Sequence, residues 1–156
     1  MAHENNVVPM PFTPPAPKGE ADIDNNKLNA RWGARLAKPF SPVSRYFLHN
    51  YWRLAPHSGA RGLNSTEAML IIQILDHKWD ERAPFPTLAT LGQRMGLSPR
   101  ALRSTVKRLE ELKYITREPS PYGGPNKYHF DGLIKALHEL MDKDVEEQDV
   151  KEVAGG

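Results

Sequence analysis

The sequence predicts a mainly α-helical domain with one small β-hairpin and with further helices flanking the core at both ends. Three observations predict this. Apolar residues recur at three- and four-residue intervals through most of residues 43–145, the spacing that gathers them on one face of a helix. Helix-start residues stand immediately before three of these runs, at Asn64, Thr87 and Ser98. One stretch, 113–130, alternates instead and encloses a cluster of turn residues.

Composition sets the outer limits. The 156 residues suit one domain with tails. A hydrophobic content of 39% beside 14 prolines predicts an ordered part next to an unordered one. There is no cysteine, which rules out disulfides and thiolate metal sites and fits a reducing compartment. "MAHENNVVPMPF" lacks a basic region followed by an apolar stretch, so no signal peptide is expected. No apolar run approaches the ~18 residues of a membrane span. A cytoplasmic location is therefore expected. The net charge of +2 hides a gradient: residues 94–131 hold eight Lys/Arg against four Asp/Glu, and residues 132–156 hold three against seven. A basic middle points to a polyanionic partner for that part of the chain.

Residues 1–42 carry seven of the prolines and show no apolar period, and they are expected to form a disordered Pro-rich arm. A docking role for another protein is the alternative use of such an arm. Residues 43–145 are expected to form the domain, with its core at 64–131, and residues 146–156 a flexible acidic tail. In "PVSRYFLHNYWRLA" (42–55), Phe47, Tyr51 and Leu54 make a helical stripe that Leu48 and Trp52 would widen. "LNSTEAMLIIQILDHKWDE" (63–81) predicts a long helix. Asn64 and Glu67 stand three apart as a capping box, and Leu70, Ile71, Ile74 and Leu75 continue one face with Lys78 or Trp79. "FPTLATLGQRMG" (85–96) predicts a shorter helix capped by Thr87, with Leu88, Leu91 and Met95 on one side and Gly96 at a left-handed end. Ser98 and Pro99 open the next helix, whose apolar face is Leu102, Val106 and Leu109. "KYITRE" and "KYHFD" are strand-like and are joined by "PSPYGGPN", which together predict a hairpin. A last helix is expected over 131–147, with Leu133, Ile134, Leu137, Leu140 and Met141 along one stripe.

At "RMGLSP" two helices are joined by about four residues that include a glycine, which is the helix-turn-helix arrangement. Residues 64–131 resemble a winged helix-turn-helix domain. The string "TLATLGQRMGLSPRALRSTVKRLEELKYITRE" is similar to the helix-turn-helix of bacterial transcriptional regulators and of the N-terminal domains of plasmid and phage replication initiators. The fold serves many roles, so the resemblance implies DNA contact more strongly than any one process.

Helical geometry then places the basic residues. Leu102, Val106 and Leu109 point toward the core, while Arg100, Arg103, Ser104 and Lys107 face the opposite way with Arg108 beside them. A helix fits the major groove, where Arg reads guanine through two bonds and Lys or Ser reaches phosphate or base edges. Ser98, at the positive helix N-terminus, is placed for a backbone phosphate. The resemblance implies that the hairpin serves as a wing, with Arg117 and Lys127 as its DNA contacts. The expected DNA-binding residues are thus Ser98, Arg100, Arg103, Ser104, Lys107, Arg108, Arg117 and Lys127. Arg94, just before the turn, is a weaker candidate for a phosphate contact.

No catalytic or metal constellation accompanies them. The six histidines are scattered, and the pair His77 and Asp80 is too little for a metal. "PYGGPN" lacks the Lys-Ser/Thr and helix of a phosphate loop. No enzyme activity, no cofactor and no metal are expected. The expected partner is double-stranded DNA, and the simplest function is transcriptional regulation in the cytoplasm, at the nucleoid. Replication or maintenance of a plasmid or phage is an alternative, and a winged-helix adaptor for other proteins is another. A homodimer through the terminal helices and a protein partner for the Pro-rich arm are compatible with the pattern.

Overall fold

The computed structural model describes residues 25–78 and 82–155. The chain divides into two units, residues 1–38 and residues 39–156. In the first unit the expected disordered arm needs amendment. Residues 1–24 lie outside the described residues, but Asn25–Trp32 form a helix, α1. No proline occurs between Pro17 and Pro39, and Lys27, Leu28, Ala30 and Arg31 are good helix formers, so propensity rather than an apolar period supports it. Its last turn closes with the amide of Gly33 bonded to the carbonyl of Asn29 at 2.8 Å.

The second unit carries the core. It contains α2 (Arg45–Asn50), a 3₁₀ turn (Tyr51–Arg53), α3 (Ser65–Leu75), α4 (Leu88–Met95), α5 (Pro99–Glu111), β1 (Thr116–Glu118), β2 (Lys127–His129) and α6 (Asp131–Ala154). Helices α3, α4 and α5 pack on one another around Leu70, Ile71, Ile74, Leu91, Leu102 and Leu109, all fully buried. Burying each such side chain stabilises the fold by roughly 1.5–3 kcal/mol before entropy is subtracted. The caps fall where the sequence puts them. Asn64 and Glu67 form a complete capping box, Thr87 accepts from the Thr90 amide, and Ser98 accepts from the Ala101 amide.

The strands pair antiparallel, with Thr116 opposite His129, Arg117 opposite Tyr128 and Glu118 opposite Lys127. The alternation in "KYHFD" is realised: Tyr128 and Phe130 are buried and Lys127 is exposed. The amide of Tyr128 also bonds the carbonyl of Pro84 at 2.9 Å, tying the hairpin to the extended piece before α4.

Three sequence expectations need correction. Leu48 and Trp52 do not join the stripe of α2; they are 47% and 64% exposed, and only Phe47, Tyr51 and Leu54 reach the core. The helix ends at Asn50 and tightens to a 3₁₀ turn, so the core covers one narrow line of it. Helix α3 stops at Leu75, well before residue 81; Trp79 and Asp80 lie outside the described residues. The acidic tail is not frayed, because α6 continues through it to Ala154. No glycine or proline interrupts residues 133–154, and Asp131 at the first turn and Lys151 at the last both suit the helix dipole.

The junction between α5 and the hairpin is tight. Lys113 adopts a left-handed backbone at φ 64°, the only non-glycine residue to do so among the described residues. Its amide bonds Glu110 and the next amide, of Tyr114, bonds Leu109, the paired bonds of a Schellman helix end. The chain then passes so close to α6 that a Cβ on Gly132 would lie 1.8 Å from the carbonyl oxygen of Lys113. This contact fixes where α6 begins relative to the end of α5.

Candidate nucleic-acid interface

The interface is built on the turn between α4 and α5. Gly96 ends α4 in a left-handed conformation (φ 63°, ψ 31°), where a side chain would be strained. Leu97 follows, and Ser98 opens α5 with its Oγ accepting the Ala101 amide at 3.2 Å. Pro99 takes the first helical position, where its missing N–H costs nothing. Leu102, Val106 and Leu109 then anchor α5 against the core.

The opposite face is solvent-exposed and carries Arg100, Arg103, Ser104 and Lys107. Arg100 and Arg103 make no hydrogen bond or ion pair among the described residues. Lys107 has only a loose intrahelical neighbour, Glu111 at 3.9 Å, a pair worth ~0.3–0.5 kcal/mol at most and easily exchanged. This face therefore presents three cations and a hydroxyl, with only the loose Lys107–Glu111 pair to be exchanged before they meet an anion.

Arg108 is the exception among the expected contacts. Its Nε lies 2.8 Å from Oε1 of Glu67, and it is turned along the protein rather than outward. Glu67 is the residue that sequence reasoning missed in this role. Asn64 and Glu67 were legible as a capping box, but the carboxylate is 3% exposed and also receives Arg61 at 2.8 and 3.2 Å. Burial alone would push the Glu67 carboxyl up. The Arg61 hydrogen bonds, the Asn64 amide and the charge of Arg108 outweigh burial and hold it below its usual range. A lone acid flanked by Arg61 and, two helices on, Arg108 is the signal that was present; nothing in the spacing says that the two arginines converge.

Arg117 on β1 is likewise engaged, by Glu110 on α5. Across the hairpin His129 Nε2 meets Glu118 at 2.7 Å. Lys127 remains exposed, directly across the hairpin from Glu118 but with no hydrogen bond or close ion pair among the described residues. Tyr122 at the hairpin tip is almost fully exposed. Arg94 does not face outward freely: its Nη1 lies 3.1 Å from Asp76 and 3.0 Å from Nε2 of His77. Burial and the charge of Arg94 push the His77 ring below its usual value, and since a guanidinium only donates, the contact with Arg94 requires the tautomer whose Nε2 accepts. Among the described residues no group of His, Asp or Glu is arranged to hold a metal ion.

Residues 61–115 match the family model described as a helix-turn-helix domain. The match begins at Arg61, the partner of Glu67, and ends at Ile115, after the Schellman end of α5. Residues 61–115 form a helix-turn-helix domain. None of the curated proteins compared with the chain matches it.

The helix-turn-helix domain supports DNA binding, with α5 in the position of its second helix. The antiparallel hairpin β1–β2 follows the domain directly, which makes the mostly helical architecture consistent with a winged helix-turn-helix. No helix among the described residues is long and apolar enough to cross a membrane.

Proposed function

We propose that this protein is a sequence-specific binder of double-stranded DNA and acts as a transcriptional regulator. The observation that carries the reading is the unpaired state of Arg100 and Arg103 on the outward face of α5, opposite a fully buried Leu102 and Leu109. Within a helix-turn-helix frame that face enters the major groove, where a guanidinium can bond O6 and N7 of guanine together. Arg100 and Arg103 take the base-reading role. Ser104 reaches a base edge or phosphate, Lys107 reaches phosphate, and Ser98 meets the backbone at the helix N-terminus. On the hairpin Lys127 is the cation free to meet the backbone, and Arg117 serves mainly to brace the hairpin against α5 through Glu110. Arg108 holds α5 in place and does not read DNA.

The protein works by binding and not by catalysis, without metal or cofactor, in the compartment that holds the DNA. Fluorescence anisotropy with labelled duplexes over a range of salt tests the reading. Log affinity is expected to fall by ~0.9 per phosphate contact per log unit of salt. Salt-independent retention, or no binding to any duplex at low salt, would contradict it.

A further inference from the structure

Helix α6 has two lines of apolar residues, and the fold uses only one. Leu133 is buried, Ala136, Leu137 and Leu140 pack against the core, and Asp144 is clasped by Tyr46 and Arg53. About 110° around the helix runs a second line: Ile134, His138, Met141 and Val145. All four are exposed, the three apolar ones at 49%, 44% and 56%. Their spacing of four, three and four residues is that of a coiled-coil seam. The line is bounded, because the next positions in either direction are Asp131 and then Gln148 and Glu152, all polar.

We propose that a second copy of this chain covers this line, with the two α6 helices antiparallel about a two-fold axis that passes near Glu139 and Leu140. In that register Ile134 faces the partner's Val145 and His138 faces the partner's Met141. The symmetry repeats both layers, so every member of the seam is used and none is left over. Charge fits the same register. Lys135, next to Ile134, falls beside the partner's Asp142, and the two-fold axis makes that ion pair twice. Lys135 is available for it, since its intrahelical neighbour Glu139 is 4.0 Å away and both are exposed. A parallel arrangement brings no such pair, and it sets Asp144 of one copy toward the partner's Asp149. The seam is short, so the dimer is a modest one, formed at micromolar rather than nanomolar concentration. It is isologous and closes on itself, so it does not extend into fibres.

The inference is independent of the DNA reading and is tested without DNA. Sedimentation of the full chain is expected to show a monomer–dimer equilibrium. Val145→Glu, at an exposed position, is expected to keep the helical circular dichroism and to stay monomeric. Lys135→Glu or Asp142→Lys alone is expected to weaken the dimer about tenfold, and the double exchange to restore it to within twofold, as a direct ion pair requires. Orientation follows from cross-linking, which is clean because the chain has no cysteine of its own. Chains carrying Ile134→Cys are mixed with chains carrying Val145→Cys. Preferential disulfides between the two variants support the antiparallel seam. Disulfides forming only between like variants, no rescue in the double exchange, or a monomer at every concentration would each overturn it.

Discussion

The Nε of Arg108 lies 2.8 Å from Oε1 of Glu67, so a cation of α5 is held by the first turn of α3 rather than offered to solvent. Glu67 receives Arg61, Arg108 and the Asn64 amide together, and this joins the cap of α3 to the helix that carries the outward basic face. The pair therefore sorts the arginines of α5 into one that positions the helix and two that are free to bind.

Arg108→Ala is accordingly expected to lower stability by about 1–2 kcal/mol, because a buried carboxylate loses one of its donors. It is expected to leave discrimination between a preferred duplex and a random one intact. Thermal denaturation and anisotropy titration of the same variant check both halves. Lost discrimination with unchanged stability would return Arg108 to the DNA face.

Arg103→Ala should behave in the opposite way. The side chain is exposed and bonds nothing, so stability should change by less than about 0.5 kcal/mol. Affinity for the preferred site should fall by the ~1–3 kcal/mol of one bidentate base contact, with a smaller loss on random DNA. An equal loss on both would reduce Arg103 to a phosphate contact.

The acid limb of the stability profile should carry the mark of Glu67 and Asp144. Arg53 and Tyr46 beside Asp144 hold its carboxyl down at about 2, against an ordinary value of 3.8. A folded-state value below the unfolded one means that the pair's contribution is complete above the unfolded value and is lost as pH falls through the folded value. The clasp between α2 and α6 should therefore persist at pH 4 and weaken as pH drops from 3.8 toward 2. Glu67, also lowered, acts in the same direction below about 4.5. Asp144→Asn should flatten its part of this limb, which denaturant melts at a series of pH values measure. An unchanged limb in Asp144→Asn would show that the clasp adds nothing.

Lys113 and Gly132 give a pair of backbone tests with opposite signs. Lys113 sits at φ 64°, where a side chain costs of order 1 kcal/mol, so Lys113→Gly should stabilise by about 0.5–1 kcal/mol. Gly132→Ala should destabilise clearly, because its Cβ would meet the Lys113 carbonyl at 1.8 Å and that atom is backbone that cannot step aside. Chemical denaturation of the two variants against the parent decides both.

These residues also mark how far the sequence could be read. The caps at Asn64, Thr87 and Ser98, the left-handed Gly96 and the buried faces of α3, α4 and α5 were all legible, because each depends on neighbours within four residues. The outward position of Arg100, Arg103, Ser104 and Lys107 was legible for the same reason. The engagement of Arg108 and Arg117 was not. Each meets an acid that is distant in sequence or on another element, and helical angle alone cannot tell a flanking cation that turns inward from one that turns out. The full length of α6 is not legible from charge, because an acidic run without glycine or proline is compatible both with a flexible tail and with a continuing helix. The left-handed Lys113 gave no signal, since glycine or asparagine is the residue expected there.

Selection of duplexes from a random pool by the purified chain, read by sequencing at moderate salt, tests the central claim most directly. The expected result is an enriched motif containing guanines, which the Arg103→Ala chain enriches less or with relaxed preference at one position. A pool that stays random although protein and DNA are retained together, or no retained DNA at all, would contradict sequence-specific recognition by α5.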